Sequence, residues 1–143
     1  MEIPSAGGVM NARSLAGMYA PLAAGGGRLV SEDAVRRMAA AASAAGVDAC
    51  LMVPTRFALG FCKTVDNRTH PLVQDSIILS EEAFGHSGVG GSIGFADPRA
   101  RMSFGYVMNR HGPGLALNER GQSLVDAAYR SVGCTSSESG DWA

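Results

Sequence analysis

His86, Ser87 and Gly88 follow Phe84-Gly85 and run straight into Val89-Gly90-Gly91. An imidazole, a hydroxyl and a glycine in a row put a group that titrates near neutrality beside backbone that a ligand can approach closely. Both flanks alternate as strands do. Ile93 and Phe95 share a face of one arm, Met102, Phe104, Tyr106 and Met108 share a face of a second, and Asp97-Pro98-Arg99-Ala100 supplies the turn between them. Taken alone, such a triplet is most often a strand end entering a glycine turn.

A second pattern overlaps it. Gly90-Gly91-Ser92-Ile93-Gly94 fits G-x-S-x-G, and Asp97 and His111 follow in the order Ser, Asp, His. A nucleophile elbow needs a strand, a sharp turn and then a helix. Ile93 onward alternates like a strand, meets Asp-Pro and enters another strand. Asp97 follows Ser92 too soon for an intervening helix and strand, so the triad is rejected.

The cysteines Cys50, Cys62 and Cys134 form no C-x-x-C pair, and an odd number argues against a disulfide framework, which makes a reducing compartment the default. His70, His86 and His111 lack ligand spacing relative to them, so neither a metal nor a cofactor is expected. At 143 residues the chain fits one domain able to bury a real core. Its net charge of -1 gives no footprint for nucleic acid or an anionic membrane. The longest apolar run, Met38 to Val47, is broken by Ser43 and Gly46 and falls short of the ~20 residues a spanning helix needs. The start has neither the basic flank nor the apolar core of a signal peptide, which leaves a cytoplasmic location as the default and an upstream signal open.

Helical spacing of Leu15, Met18, Tyr19 and Leu22, with Asn11 as cap, predicts a first helix that Pro21 bends or ends. After Gly25-Gly26-Gly27, a second helix is capped by Ser31, carries Glu32 and Asp33 at its positive end, and faces inward with Val35, Met38 and Ala42. Val30 and Val35 form its staple. Phe57 to Phe61 reads as a strand, Val65 to Pro71 as a polar loop with its turn at Asp66-Asn67, and Ser76 to Leu79 as a further short strand. Gly121, Leu124, Val125, Ala128, Tyr129 and Val132 make the apolar stripe of a last helix that Gly133 stops. The domain is expected to span 1–133, and the Ser-rich, acidic stretch 134–143 to be a disordered tail despite Trp142.

The run Phe84-Gly-His-Ser-Gly-Val-Gly-Gly-Ser-Ile-Gly-Phe-Ala-Asp-Pro98, continuing into Met102-Ser-Phe-Gly-Tyr-Val-Met-Asn109, resembles the third active-site motif of the serine β-lactamase-related hydrolases: class C β-lactamases, DD-peptidases and esterases. His86-Ser87-Gly88 stands where that family has Lys-Thr-Gly or its His-x-Gly variant. The order of Pro4-Ser-Ala-Gly-Gly8, helix, Gly-rich break and Leu29 to Met38 is similar to the family's approach to that motif. The resemblance implies an α+β fold, an antiparallel sheet with packed helices, forming part of the family's β-lactamase/transpeptidase-like domain. It also implies that His86 places a proton or positive charge near a substrate carboxylate. Gly88 would let substrate come close, and the N–H of Val89 would form half of an oxyanion hole. Such donors gain most when fixed in direction before charge develops. An unperturbed histidine is only partly charged near neutrality, which weakens permanent recognition of an acidic substrate. Asn109 and Arg110, at the end of the second arm, are candidates for holding a substrate carboxylate, although a solvated strand end explains them as well. Ser5 to Gly8 would line the cleft wall or simply enter the first helix.

The family's Ser-x-x-Lys and Tyr-x-Asn do not occur. The single lysine, Lys63, has Gly60 three residues before it, and Tyr19, Tyr106 and Tyr129 are followed at the second position by Pro21, Met108 and Ser131. The resemblance therefore implies the C-terminal portion of a serine hydrolase of small-molecule esters or amides, inactive alone. The alternative is a non-catalytic remnant that acts as a binding or scaffold domain. An apolar edge at the Met102 arm, which further strands cover in the family, implies self-association.

Overall fold

In a computed structural model, described for residue 3 and residues 6–71, 75–137 and 140–143, three helices and five strands follow the order α1 (Ala12–Ala23), α2 (Glu32–Ala39), β1 (Ser43–Ala45), β2 (Thr55–Phe57), β3 (Phe84–Gly88), β4 (Ser92–Asp97), β5 (Met102–Tyr106) and α3 (Glu119–Ser131). The class is α+β, as expected. β3, β4 and β5 form an antiparallel sheet in that order, with Ser87 opposite Ile93 and Ile93 opposite Tyr106. β1 and β2 make a short antiparallel ribbon, and Cys62 links it to the sheet by bridging both Phe57 and Gly85.

The helix starts follow local chemistry. Asn11 Oδ1 accepts the Ser14 N–H at 2.9 Å and Ser31 Oγ accepts the Ala34 N–H at 3.2 Å, each satisfying a donor that the first turn leaves without an intrahelical partner. Pro21 lies in the last turn of α1, where the chain leaves through the positive-φ residues Gly25, Gly26 and Gly27.

One layer of core joins α1 and α2 to the sheet through Tyr19, Ala23, Val35, Phe84 and Ala96. Gly94 and Gly105, directly opposite each other on β4 and β5, let α1 approach. A Cβ at Gly105 would lie 2.5 Å from the Ala12 carbonyl oxygen and 2.6 Å from the Ala16 nitrogen. On the other face, Val125 and Tyr129 of α3 pack with Ile77, Leu79, Ile93 and Phe95. The ring of Tyr129 stacks between Phe95, at 5.9 Å, and Trp142, at 5.3 Å.

Several expectations need correction. The strand foreseen at Phe57 to Phe61 is Thr55–Phe57, because the chain turns at Gly60 with φ of +80°. α2 ends at Ala39, and the alanine run that was to extend its inward face through Ala42 pairs as β1 instead. Ser76 to Leu79 forms only isolated bridges, through Ser76 to Leu117 and Ile77 to Val65. The second arm ends at Tyr106, short of Met108. The stripe on α3 is narrower than foreseen: Gly121, Val125 and Tyr129 are buried, whereas Leu124 and Val132 are exposed.

The expected disordered tail is packed where it is described. Trp142 is buried, bridges Ser80 and Ser136, and lies under Arg130, whose guanidinium carbon sits 5.5 Å from the ring centroid. Thr135 and Ala143 exchange backbone hydrogen bonds of 3.0 and 2.9 Å. One large aromatic side chain meeting a ready ring outweighs the polarity around it. Glu138 and Ser139 lie outside the described residues, as do Pro4 and Ser5 of the foreseen cleft wall; Gly7 and Gly8 are exposed.

Candidate active site

β3 carries the triplet and is anchored on both sides. Toward β4, His86 pairs with Gly94 and Gly88 with Ser92. On the outer edge Gly85 and Cys62 exchange backbone bonds, Cys62 N–H to Gly85 O at 2.7 Å and Gly85 N–H to Cys62 O at 3.2 Å. Backbone groups of alternate residues point the same way along a strand, so those of Ser87 face that outer edge too, and Val89 follows as the first residue of the turn. The Ser87 carbonyl accepts from His86 Nδ1 at 2.7 Å. Among the described residues no hydrogen bond is formed by the Val89 N–H, and its side chain is exposed.

The turn that ends β3 is fixed from below. Gly90 and Gly91 have φ of +90° and +108°, a region L side chains rarely adopt. Gly90 N–H donates to Gly114 O at 3.3 Å, Gly112 N–H to Gly90 O at 3.0 Å and Gly91 N–H to Gly88 O at 3.0 Å. Asn118, the cap of α3, spends its carbonyl on Gly121 N–H at 3.2 Å and its amide on Gly90 O at 2.9 Å. The same side chain therefore starts the helix and holds the turn that aims Val89. Sequence reasoning missed it, although an Asn directly before an amphipathic helix is a readable signal.

His86 is solvent-exposed, yet its pKa is raised from 6.5 to about 9, first by a hydrogen bond with the Cys62 sulfur and then by the Ser87 carbonyl, against a desolvation that lowers it. The expectation of a partly charged histidine is corrected: the imidazole is cationic through neutrality. Nearby, Tyr19 of α1 stays protonated because burial raises its pKa to about 12.

Asn109 and Arg110 lie beyond β5 and are exposed, with the Arg110 carbonyl accepting from Arg120 at 2.9 Å. The chain after them passes beside the turn, where a Cβ at Gly90 would sit 2.3 Å from His111 Nδ1. The rejected Ser-Asp-His set does not assemble. Ser92 and Asp97 end opposite extremities of β4, about 17 Å of extended chain apart. Fully buried Asp97 accepts from Ser80 Oγ at 2.6 Å, Tyr129 Oη at 2.9 Å and Ala100 N–H at 2.9 Å.

Lys63 is a further residue the sequence did not explain. Its ammonium is buried and donates to the carbonyls of Glu81 and Ala83, fixing the turn that feeds β3; desolvation lowers its pKa. Arg56 closes a bidentate pair with Glu81 beside it, at 2.6 and 2.5 Å. A groove of about 520 Å³ runs along the start of α3, lined by Arg68, Asp75, Asn118 and Arg120, and no residue of the triplet lines it. The triplet sits on an open strand edge.

The family model for β-lactamase matches residues 1–129. The chain belongs to the β-lactamase family. Against the esterase/β-lactamase LipL of Mycobacterium tuberculosis this β-lactamase-family chain is 36% identical over 113 residues, 76% of its length and 24% of LipL's. A family VIII carboxylesterase crystal structure superimposes with a TM-score of 0.69 at 35% identity, covering 84% of this chain and 31% of the esterase. A penicillin-binding protein homologue from Caulobacter crescentus gives 0.67 at 33%, again over 84% and 31%. The chain thus spans a quarter to a third of the length of these relatives.

Proposed function

We propose that this β-lactamase-family chain supplies the third-motif wall of an acyl-transfer site, with the serine nucleophile and its base contributed by sequence outside these 143 residues. The carrying observation is the Val89 N–H directly after β3, which has no acceptor among the described residues and lies three positions from a cationic imidazole. In this reading a serine hydroxyl attacks the carbonyl of an ester or amide, and the developing oxyanion accepts the Val89 N–H. The glycine turn and Asn118 fix that donor, so little reorganisation is required as charge develops. His86 sits where its charge can meet a carboxylate or a departing group, and Gly88 keeps the strand low. Asn109 and Arg110 serve as secondary contacts to an anionic substrate. The limited share of each relative covered by this chain supports the missing-partner reading.

The test joins the chain in frame to an N-terminal segment bearing Ser-x-x-Lys and Tyr-x-Asn and follows hydrolysis of a chromogenic short-chain ester. Turnover is expected to appear, and His86→Ala to lower it about 10- to 100-fold, within the usual range for a positioned acid–base group. Full activity of the joined protein with His86→Ala would refute the assignment. The 143-residue chain alone is expected neither to label with a fluorophosphonate nor to turn over the ester. Stoichiometric labelling at Ser92, lost on mutating Asp97 or His111, would overturn the reading.

A further inference from the structure

Asn118 puts one carboxamide to two uses. Its Oδ1 accepts the Gly121 N–H at 3.2 Å, which caps α3, and its Nδ2 donates to the Gly90 carbonyl at 2.9 Å. The partners fix which end is which, because an N–H can only donate and a carbonyl oxygen can only accept. The group is wedged against backbone: a Cβ at Gly91 would lie 2.3 Å from Nδ2, and one at Gly112 would lie 2.2 Å from it. The first turn of α3 meets the same glycine turn, since a Cβ at Gly121 would lie 2.9 Å from the Gly91 carbonyl oxygen.

Gly90 is thereby held on both sides by the segment that leads into α3. Its N–H donates to Gly114 O at 3.3 Å, and its carbonyl accepts from Gly112 N–H at 3.0 Å as well as from Asn118. Val89 is the second residue of the turn that Gly91 N–H closes on Gly88 O at 3.0 Å, so a shift of the Gly90 peptide is carried into the Val89 N–H. Arg120 on the Arg110 carbonyl and the Leu115 N–H on Asp75 Oδ2, each at 2.9 Å, keep the segment itself in place. We propose that Asn118 is the positioning residue of the oxyanion donor: its Nδ2–H, acting through the Gly90 carbonyl, holds the aim of the Val89 N–H and ties that aim to the first turn of α3. The proposal rests on the acyl-transfer reading of Val89, and in it Asn118 touches neither substrate nor reacting atoms.

Cap and tether separate chemically. Asp and Ser cap helices about as well as Asn. A carboxylate, however, has no donor for Gly90 O and sets oxygen against oxygen, and a serine side chain is one atom shorter with no second polar group to reach the turn. Asn11 is the control within the chain. It caps α1 in the same way, Oδ1 accepting the Ser14 N–H at 2.9 Å and the Ser14 hydroxyl at 3.0 Å, and among the described residues none of its hydrogen bonds reaches the glycine turn.

The test reads amide hydrogen exchange by NMR on the isotope-labelled 143-residue protein. Asn118→Asp and Asn118→Ser are each expected to speed exchange at Gly90, Gly91 and Gly112 about tenfold, as loss of one hydrogen bond allows, while Val125 and Tyr129 in the body of α3 keep their rates. Asn11→Ala should leave all five amides unchanged. In the protein joined to the segment bearing Ser-x-x-Lys and Tyr-x-Asn, Asn118→Ser should lower kcat about tenfold at constant KM, because a misaimed donor is missed only as charge develops. Asn11→Ala should alter neither constant. Unchanged exchange at the three glycines, or equal loosening by Asn11→Ala, would overturn the proposal, and so would loosened exchange with kcat intact. If one Asn118 variant does not fold, the other decides. A joined wild-type protein without turnover would instead refute the acyl-transfer reading, and the exchange rates would still decide whether Asn118 holds the turn.

Discussion

Replacing Gly105 by alanine tests the packing that sets the site. The added Cβ would sit 2.5 and 2.6 Å from main-chain atoms of Ala12 and Ala16, almost 1 Å inside the 3.4 Å at which ordinary contact begins. Neither neighbour is a flexible side-chain tip, so α1 must retreat from the sheet as a body. Overpacking of this kind costs about 1–3 kcal/mol, and the upper half applies because the obstruction is backbone. For a urea slope of about 1–3 kcal/mol per molar, the midpoint should fall by roughly 1 M. Gly17 provides the control within the same helix, since a Cβ there meets nothing within 4 Å. Gly17→Ala should raise stability by about 0.5–1 kcal/mol, because the glycine only costs helix propensity. The assay is urea unfolding followed by circular dichroism. A midpoint for Gly105→Ala equal to wild type, or equal shifts for the two variants, would refute the claim that the glycine pair of β4 and β5 sets the seat of α1.

Trp142→Ala should cost about 3–5 kcal/mol by emptying the stack on Tyr129, read as a fall in melting temperature; a change inside experimental scatter would show the C-terminal segment to be loosely attached. His86 contributes stability through its raised pKa, so the contribution is full below about 6.5 and is lost as pH rises through about 9. Cys62→Ser should flatten the loss of stability across that window, and an unchanged slope in pH-dependent melts would show that Cys62 is not what raises the His86 pKa. The outer edge of β5 faces no strand among the described residues, so light scattering should show self-association rising with concentration; a monomer at high concentration would exclude it.

What the sequence made legible was local. Asn11 and Ser31 announced helix starts because capping acts over three residues, and the β4–β5 hairpin was readable from alternation around Asp97-Pro98. The triplet was found for the same reason, being continuous in the chain. Contacts closed over long separations were not legible. Lys63 stood out in the sequence only as the single lysine, and nothing near it in the chain pointed to the carbonyls 18 and 20 residues away that its ammonium meets. Trp142 sat in a polar, acidic stretch whose composition gave no hint of the Tyr129 ring. The alanine run after α2 fits helix by propensity, and only the pairing with Thr55–Phe57 makes it a strand. The charge of His86 likewise depended on Cys62, a residue 24 positions earlier that composition presents merely as a spare thiol.

The burial of Lys63 also governs how the protein meets amine-directed reagents. It is the only lysine, and in the folded chain its nitrogen is enclosed and committed to two carbonyls. An acylating label can reach it only when the segment before β3 opens. The rate at which residue 63 is acylated is therefore a clock for that opening, reporting how often the strand that bears His86 and Val89 comes loose while the rest of the molecule stays folded.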